Sequence, residues 1–304
     1  MKLAIFGRLT ERTDLEVMVR FFEFLREKEV PYLVHHVYAE ELAPVLKTWK
    51  RDIHPYILAK NREELKGCDF AYSFGGDGTF LNTVMFAGFD LPVLGVNFGR
   101  LGFLTSVTQE NLHMATEELM KDMYRIDLRY GVVVESNPMG LFGEYNFGLN
   151  DLTLHKAQSN EMITVHTYIN GEFLNSYWGD GLIIATPTGS TAYNLACGGP
   201  IIHPAANSVA ITPVAPHSLT VRPMILPDEY VISFVIESRT GKAMVALDTR
   251  TILIETNVEL AVRKSDKPVK LVRVQSGNYL ESLRDRLMWG RDSRNWKERM
   301  GKPK

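Results

Sequence analysis

The sequence predicts an α/β domain followed by a β-rich domain, and the order of its apolar segments supports both. Over residues 1–127, apolar runs at 3–6 and 32–36 flank a helical pattern at 13–28. A chain that alternates strands and helices in this way is typical of a parallel sheet covered by helices. From 129 to 274 the apolar runs are instead short and rich in β-branched residues, which favours strands.

The elements of the first domain follow from local patterns. Thr13 and Glu16 have the spacing of a capping box at the start of the first helix, where apolar residues recur every three or four positions. Further strands are predicted at 70–74 and 92–96, and a second helix at 80–87. A last helix, predicted over 108–123, places four apolar side chains on one face: Leu112, Ala115, Leu119 and Met123.

The β-rich part is predicted to span 128–275. Its β-branched runs lie at 132–134, 163–169, 231–236, 251–255 and 269–274. Asn170-Gly171 separates the run at 163–169 from another at 173–177, and this dipeptide is a strong signal for a two-residue hairpin. We expect the remaining 276–304 to form a separate C-terminal segment. Its many charges are compatible with an anion-binding face, but we interpret them as a solvated helix beside the fold.

Composition limits the class of protein. The chain has 304 residues, with 45% apolar and 23% charged side chains, which is ordinary usage for a globular protein of two domains. A net charge of −2 gives no electrostatic reason to expect nucleic acid or an acidic membrane as partner. Cys68 and Cys197 are too few for a disulfide framework, and no run has the length of a membrane span. We therefore expect a cytoplasmic protein.

The strongest local motif is Gly75-Gly76-Asp77-Gly78-Thr79, between a predicted strand and a predicted helix. Glycines allow the backbone to approach a ligand closely, and the N–H groups of such a turn attract anions, so we predict a phosphate-binding turn. The carboxylate of Asp77 fits a hydroxyl proton or a metal ion better than a phosphate. The simpler alternative is a glycine-rich turn in which Asp77 only caps the helix.

A second segment, 179–204, is dense in glycine, proline and hydroxyl side chains. Pro187 fixes a turn, and the following Thr188, Gly189 and Ser190 offer small donors and N–H groups ahead of a helix start. Such a loop could hold another anionic partner. A purely structural loop would explain either motif alone but not both in one chain.

Together these motifs resemble those of the NAD kinase family, which phosphorylates the 2′-hydroxyl of the adenosine ribose of NAD to give NADP. The blocks that carry the resemblance are 75–79, 97–105, Asn150-Asp151, 179–204 and 216–223, in that order. The resemblance implies an N-terminal α/β domain, a C-terminal all-β, sandwich-like domain and a C-terminal segment that packs back on the first domain. It also implies ATP as phosphate donor, with a divalent cation, Mg²⁺, that arrives with ATP.

The resemblance assigns roles to particular residues. Asp77 matches the family's general base, and Asp180 matches an acid contributed across a subunit interface, so a homodimer or homotetramer is implied. Asn150 and Asp151 match a pair that holds the ribose and adenine region. The full set implied to bind NAD is Asp77, Gly78, Asn150, Asp151, Asp180, Thr191, Ala192, Tyr193, Asn194, Leu195, Ala196, Ala215 and Arg250.

Three positions depart from the family pattern. Asp151 stands where Glu is usual and is one methylene shorter, Ala215 replaces a common Cys, and Thr249 replaces a frequent Gly after Asp248. Each departure bears on a position near the implied NAD contacts.

Two other functions share part of this pattern. Lipid kinases of the diacylglycerol or sphingosine type also carry Gly-Gly-Asp-Gly-Thr, but they lack the block at 186–193. A non-catalytic NAD(H)-binding sensor would keep the fold without turnover, and retention of Asp77 argues against it. We interpret His217 and His203 as structural residues, predict no metal site made by the protein alone, and leave Phe103 open between base stacking and core packing.

Overall fold

The computed structural model describes residues 1–11, 13–48, 57–99, 102–274 and 279–289. The helices are α1 (Leu15–Glu27), α2 (His36–Thr48), α3 (Asp77–Ala87), α4 (Leu112–Met120), α5 (Tyr193–Ala196) and α6 (Tyr279–Leu287), with 3₁₀ turns at Arg62–Leu65, Gln109–Asn111 and Gly189–Thr191.

The strands are β1 (Leu3–Gly7), β2 (Tyr32–His35), β3 (Ile57–Ala59), β4 (Phe70–Phe74), β5 (Val93–Asn97), β6 (Val107–Thr108), β7 (Tyr124–Arg129), β8 (Val132–Asn137), β9 (Phe147–Gly148), β10 (Asp151–Lys156), β11 (Ile163–Ile169), β12 (Glu172–Gly179), β13 (Gly181–Ala185), β14 (Ser208–Val214), β15 (Met224–Pro227), β16 (Ile232–Glu237), β17 (Lys242–Leu247), β18 (Arg250–Glu255), β19 (Glu259–Lys264) and β20 (Val269–Val274).

The chain divides into two compact units. The first contains Met1–Ala87, Leu91–Asp127 and the described part of Leu271–Lys304, and the second contains Gly88–Asp90 with Leu128–Lys270. The predicted fold class, α/β followed by an all-β sandwich-like part, is confirmed. Among the described residues, no helix has both the length and the apolar character needed to cross a membrane.

The first unit is built on one sheet with strand order β3-β2-β1-β4-β5-β20-β7, to which β6 adds at β5. Strands β1 to β5 pair in parallel, as expected for strands joined by helices. β20 pairs in parallel with β5, although it falls within the 128–275 range predicted for the β-rich part. The long return of the chain to this sheet leaves no trace in the local sequence pattern.

Two local predictions in the first unit were wrong. Asp14, not Thr13, caps α1, because its carboxylate accepts the N–H groups of Glu16 and Val17. Met123 does not share the buried face of α4. The helix ends at Met120, the following Asp122 has a φ of +55°, and Met123 is 41% exposed.

The second unit is a sandwich of two antiparallel sheets, with orders β15-β14-β13-β10-β17-β18 and β12-β11-β16-β19-β8-β9. Alternate side chains of both sheets, including Leu152 and Leu154 of one and Val165 and Phe234 of the other, form a single core. The predicted hairpin is present between β11 and β12, where Asn170 and Gly171 both have positive φ.

Candidate active site

The glycine motif forms the turn between β4 and α3. Gly75 has a φ of +150°, and a Cβ there would collide with the side chain of Thr79. Gly76 and Gly78 are exposed, and no described atom lies within 4 Å of a Cβ built on either. The helix begins at Asp77, three residues earlier than predicted, so the motif is itself the first helical turn. Its N–H groups and the positive end of α3 favour an anion beside the two exposed glycines.

The carboxylate of Asp77 organises the loop 102–105. Its Oδ1 accepts the backbone N–H groups of Leu104 (3.0 Å) and Thr105 (3.1 Å) and the Thr105 hydroxyl (3.1 Å). Its Oδ2 accepts one bond, from the N–H of Phe103 (2.6 Å). A carboxylate oxygen can accept two bonds, so Oδ2 is the atom with capacity to receive a proton.

Particular residues in and before this loop make its contact with Asp77 possible. A Cβ on Gly102 would collide with the Asp77 carboxylate, so glycine is required there. Asn97 donates to the Thr105 hydroxyl (2.9 Å) and accepts the N–H of Gly99 (2.6 Å), which holds both ends of the block 97–105. Arg100 and Leu101 of that block lie outside the described residues.

Two further residues of the first unit, Arg286 and Arg273, lie beside this loop, and no sequence motif predicts this position for either of them. The guanidinium carbon of Arg286, on α6, lies 4.3 Å from the centre of the Phe103 ring. Phe103 therefore stacks on a cation in this structure. Arg273 of β20 pairs with Asp127 at 3.3 Å and donates to the Leu104 carbonyl at 3.4 Å. Of the predicted C-terminal segment 276–304, the structure describes residues 279–289.

In the second unit, Asp248 holds the loop that carries Asn150 and Asp151. Its carboxylate accepts the N–H groups of Leu149 (2.7 Å), Asn150 (2.8 Å) and Asp151 (3.2 Å), and its own N–H donates to the Asp151 carbonyl (3.1 Å). Asp248 itself takes the positive φ, +53°, while Thr249 after it is exposed. No local pattern predicts that Asp248 holds this loop, because its partners lie about a hundred residues away in the sequence.

Asp151 is buried, with 7% of its surface exposed. Burial, together with the nearby charge of Asp248, raises the pKa of Asp151 to about 7, and a hydrogen bond from Thr153 (3.3 Å) opposes the rise only in part. Beside it, Oδ1 of Asn150 is buried and finds no hydrogen-bond partner among the described residues. A buried amide oxygen without a donor is costly unless a ligand supplies one.

The segment after β13 is tied to this loop. Thr186 donates its N–H to the Asn150 carbonyl (2.9 Å) and its hydroxyl to the Leu149 carbonyl (2.7 Å). Gly189 packs against the Asn150 backbone so closely that a Cβ would collide with the carbonyl. The block 191–196 is therefore brought beside Asn150 and Asp151.

Tyr193 and Asp180 lie near this pair. Tyr193 is 43% exposed, and its pKa is raised by partial burial and by Cys197, Asp180 and Asp151. Asp180 forms an ion pair with Lys156 of the same chain at 2.7 Å. Ala215, with a φ of +43°, follows Val214, whose carbonyl accepts the Asp180 N–H. The structure thus groups five predicted positions: Asn150, Asp151, Asp180, Tyr193 and Ala215.

Two predicted NAD contacts have structural roles. The side chain of Asn194 is fully buried, donates to the carbonyls of Ser190 (3.0 Å) and Pro200 (3.1 Å), and accepts the Thr212 hydroxyl (2.6 Å). Arg250 donates to the carbonyls of Tyr145 and Phe147. Both side chains bond within the protein, which gives each of them a structural role, and their assignment as NAD contacts stays a prediction.

The remaining residues of the block differ in exposure. Thr191, Ala192 and Leu195 are partly buried, and Ala196 is exposed. Thr191 bonds weakly to the Thr188 carbonyl at 3.4 Å. In the described part of the chain, no three His, Cys, Asp or Glu side chains lie close enough together to hold a metal ion.

Family models match both parts of the chain. The model of the ATP-NAD kinase N-terminal domain matches residues 3–124, and that of the C-terminal domain matches residues 149–274. An NAD kinase of Cytophaga hutchinsonii is 40% identical over 299 residues, covering 97% of this chain and 100% of the relative. An NAD kinase of Bacteroides fragilis is 36% identical over 297 residues, with the same coverage of both chains.

Solved structures are similar over nearly the whole chain. The crystal structure of yeast NADH kinase complexed with NADH has a TM-score of 0.83 at 25% identity and covers 96% of this chain and 88% of that one. An NAD kinase from Archaeoglobus fulgidus in complex with ATP has a TM-score of 0.72 at 23% identity, covering 95% of this chain and 98% of that one, which shows a shared fold. On the family models and the close relatives, the chain belongs to the NAD kinase family.

Proposed function

We propose that Asp77 accepts the proton of the ribose 2′-hydroxyl when this chain transfers the terminal phosphate of ATP to NAD. ATP-dependent phosphorylation of NAD to NADP is the activity of the family to which the chain belongs. The observation that supports Asp77 is its fixed carboxylate, held by four donors of residues 103–105, with Oδ2 retaining acceptor capacity. Phosphoryl transfer requires mainly such positioning and charge neutralisation.

The donor phosphates bind at the glycine turn in this proposal. Gly76 and Gly78 are exposed at the positive end of α3, and Thr79 adds a hydroxyl next to them. The anion-attracting N–H groups of the turn supply the physical reason. A divalent cation, with Mg²⁺ the expected ion, enters with ATP, because phosphate oxygens are its preferred ligands.

The acceptor, NAD, is assigned to the group around Asn150. The buried, unpartnered Oδ1 of Asn150 accepts a donor from the dinucleotide, and Asp151 accepts a second one when it is ionised. Tyr193 offers an exposed ring for stacking. Gly78, Thr191, Ala192, Leu195, Ala196 and Ala215 stay in the proposed binding set through backbone or small-residue contacts.

The reaction itself is tested with a coupled assay for NADP formation. Asp77→Asn places an amide NH₂ against the Phe103 N–H, so it removes the proton acceptor and one loop bond. We expect kcat to fall roughly 10²- to 10⁴-fold, with NAD affinity retained. Asn150→Ala should instead raise KM for NAD. Asp90→Asn changes a carboxylate that is 90% exposed and serves as the matched control with wild-type kinetics.

The outcomes separate the competing functions. A chain that binds NAD but forms no NADP is a sensor, and one that phosphorylates a lipid instead belongs with the lipid kinases. If Asp77→Asn keeps near wild-type kcat, Asp77 is not the proton acceptor. If Asn150→Ala raises KM for ATP alone, the assignment of the second unit to NAD is reversed.

We further propose a homodimer or homotetramer in which Asp180 serves a neighbouring subunit, with the cytoplasm as compartment. The ion pair of Asp180 with Lys156 offers the competing explanation, that Asp180 only stabilises its own chain. Mixing Asp77→Asn with Asp180→Ala distinguishes the two, because a mixed oligomer can combine an intact Asp77 with an intact Asp180. Verified subunit exchange without recovered activity excludes the shared site.

A further inference from the structure

The guanidinium of Arg286, on α6, lies over an aromatic ring and has buried donors that no described residue satisfies. Its carbon lies 4.3 Å from the centre of the Phe103 ring, so one face of the planar group is covered by the aromatic ring. The five N–H donors of an arginine project in its plane, not from its face. Nevertheless Nε and Nη1 are buried and find no hydrogen-bond partner among the described residues.

The charges nearby do not explain this placement. Burial lowers the pKa of Arg286 to about 10, and the attraction of Asp77 offsets burial only in part, while Arg273 adds to the lowering. The oxygens of Asp77 accept their bonds from residues 103–105, and Arg273 is paired with Asp127. A partly buried cation with unfilled donors is costly, and the described residues supply no hydrogen-bond partner for Nε and Nη1.

We propose that Arg286 binds the polyphosphate of the donor, next to the glycine turn and Asp77. This inference rests on the proposed function, because it assigns the donor's phosphates to the same turn. Phe103, under the guanidinium, belongs to the loop that Asp77 holds, and Asp77 begins α3, so the cation and the positive helix end act on one region. A planar fork of N–H donors matches two phosphate oxygens. The positive charge also offsets the repulsion between an incoming phosphate and the Asp77 carboxylate.

The test compares three variants of the full chain. Arg286→Gln removes the charge, Arg286→Lys keeps the charge without the fork, and Arg284→Gln makes the same charge change at an exposed position of the same helix. We expect Arg286→Gln to raise KM for ATP roughly 10- to 100-fold, Arg286→Lys to fall between it and wild type, and Arg284→Gln to leave KM for ATP within about twofold. KM for NAD should change less than about twofold in all three.

Two measurements separate ligand binding from a structural role. Binding of inorganic tripolyphosphate, measured by calorimetry, should weaken by a similar factor in Arg286→Gln, since the probe lacks the nucleoside. The thermal midpoint without ligand should stay level or rise in that variant, because the unpaired buried cation is removed. A lowered midpoint with unchanged tripolyphosphate binding shows that Arg286 only covers Phe103, and the inference is then wrong.

Other outcomes are equally decisive. If Arg286→Gln weakens inhibition by the product NADP but leaves tripolyphosphate binding intact, the residue contacts the product's 2′-phosphate and the donor assignment is overturned. If wild type forms no NADP, the proposed function fails, yet the tripolyphosphate comparison still judges Arg286. An active Arg286→Gln enzyme with wild-type KM for ATP overturns the inference and leaves the proposed function standing.

Discussion

Replacing Asp151 by Asn should change how the stability of the protein depends on pH. Asp151 is buried, and its pKa is raised to about 7 by burial and by the charge of Asp248. Asn has the same shape, can still accept the Thr153 hydroxyl through its amide oxygen, and does not titrate. The substitution therefore removes the buried charge while it keeps the packing and the bond.

The sign and size of the effect follow from the two pKa values. Between the ordinary value of 3.8 and about 7, the folded chain holds a proton on Asp151 that the unfolded chain has released. The contribution of Asp151 to the free energy of unfolding therefore falls as pH rises through that window, by about 1.4 kcal/mol per pH unit. Above the window this contribution changes no further. Relative to wild type, Asp151→Asn should be equal in stability below about pH 4 and more stable by up to about 4 kcal/mol at pH 8.

Denaturant unfolding at half-unit pH steps from 4 to 8 measures this difference. Subtracting the wild-type free energy of unfolding from that of the variant cancels the titration of carboxylates that do not interact with Asp151. Asp248 keeps its three backbone bonds in both proteins, and its coupling to Asp151 is part of the measured difference. Asp90→Asn makes the same chemical change at an exposed site and serves as the matched control. A difference for Asp151→Asn that is flat over this range would refute the raised pKa of Asp151 and its physical explanation.

Three further substitutions test the roles that the structure assigns to the second unit. Asn194→Ala removes three buried hydrogen bonds and should lower the free energy of unfolding by roughly 2–4 kcal/mol. We expect it to raise KM for NAD less than Asn150→Ala does. A large rise in KM at unchanged stability would instead show that Asn194 contacts the ligand. Gly189→Ala forces a Cβ onto the Asn150 carbonyl, so both stability and NAD affinity should fall, as urea unfolding and calorimetry would show. Arg250→Ala frees the carbonyls of Tyr145 and Phe147 and should lower the thermal midpoint while KM for NAD stays within about threefold.

The fold could be predicted from sequence wherever the signal was local. The alternation of strand and helix in the first unit and the Asn170-Gly171 hairpin in the second were both visible as patterns of a few residues. The pairing of β20 with β5 could not be predicted, because Leu271 and Val93 meet only through the return of the chain. The cap of α1 was misplaced by one residue, since Thr13 and Asp14 are both good capping residues and only the backbone geometry decides between them.

In the candidate site, too, local features could be predicted from the sequence and contacts between distant residues could not. The glycine turn predicts an anion site by itself, because positive φ and free N–H groups are properties of the local chain. Its partner loop 103–105 belongs to the block 97–105 that carries the family resemblance, but no local pattern predicts that this loop meets Asp77. Arg286 comes from a distant position and belongs to none of these blocks. The family resemblance supplied Asn194 and Arg250 as contacts, but only their burial and bonds show that these side chains support the loops.

Asp77 and Asp248 make the same kind of contact, in which a carboxylate binds the backbone N–H groups of a loop. Hydrogen bonding alone therefore does not identify the reactive carboxylate. Each accepts three backbone N–H groups from a loop and so fixes that loop's conformation. Their surroundings differ. Asp248 follows the fully buried Leu247 and acts on Asp151 by repulsion, so its charge serves mainly to shape and tune the loop. Asp77 instead stands between two exposed glycines at a positive helix end. It is attracted by the guanidinium of Arg286, whose Nε and Nη1 find no hydrogen-bond partner among the described residues. A charged substrate can therefore approach Asp77 more readily than Asp248, and this is the physical reason for proposing Asp77 as the proton acceptor.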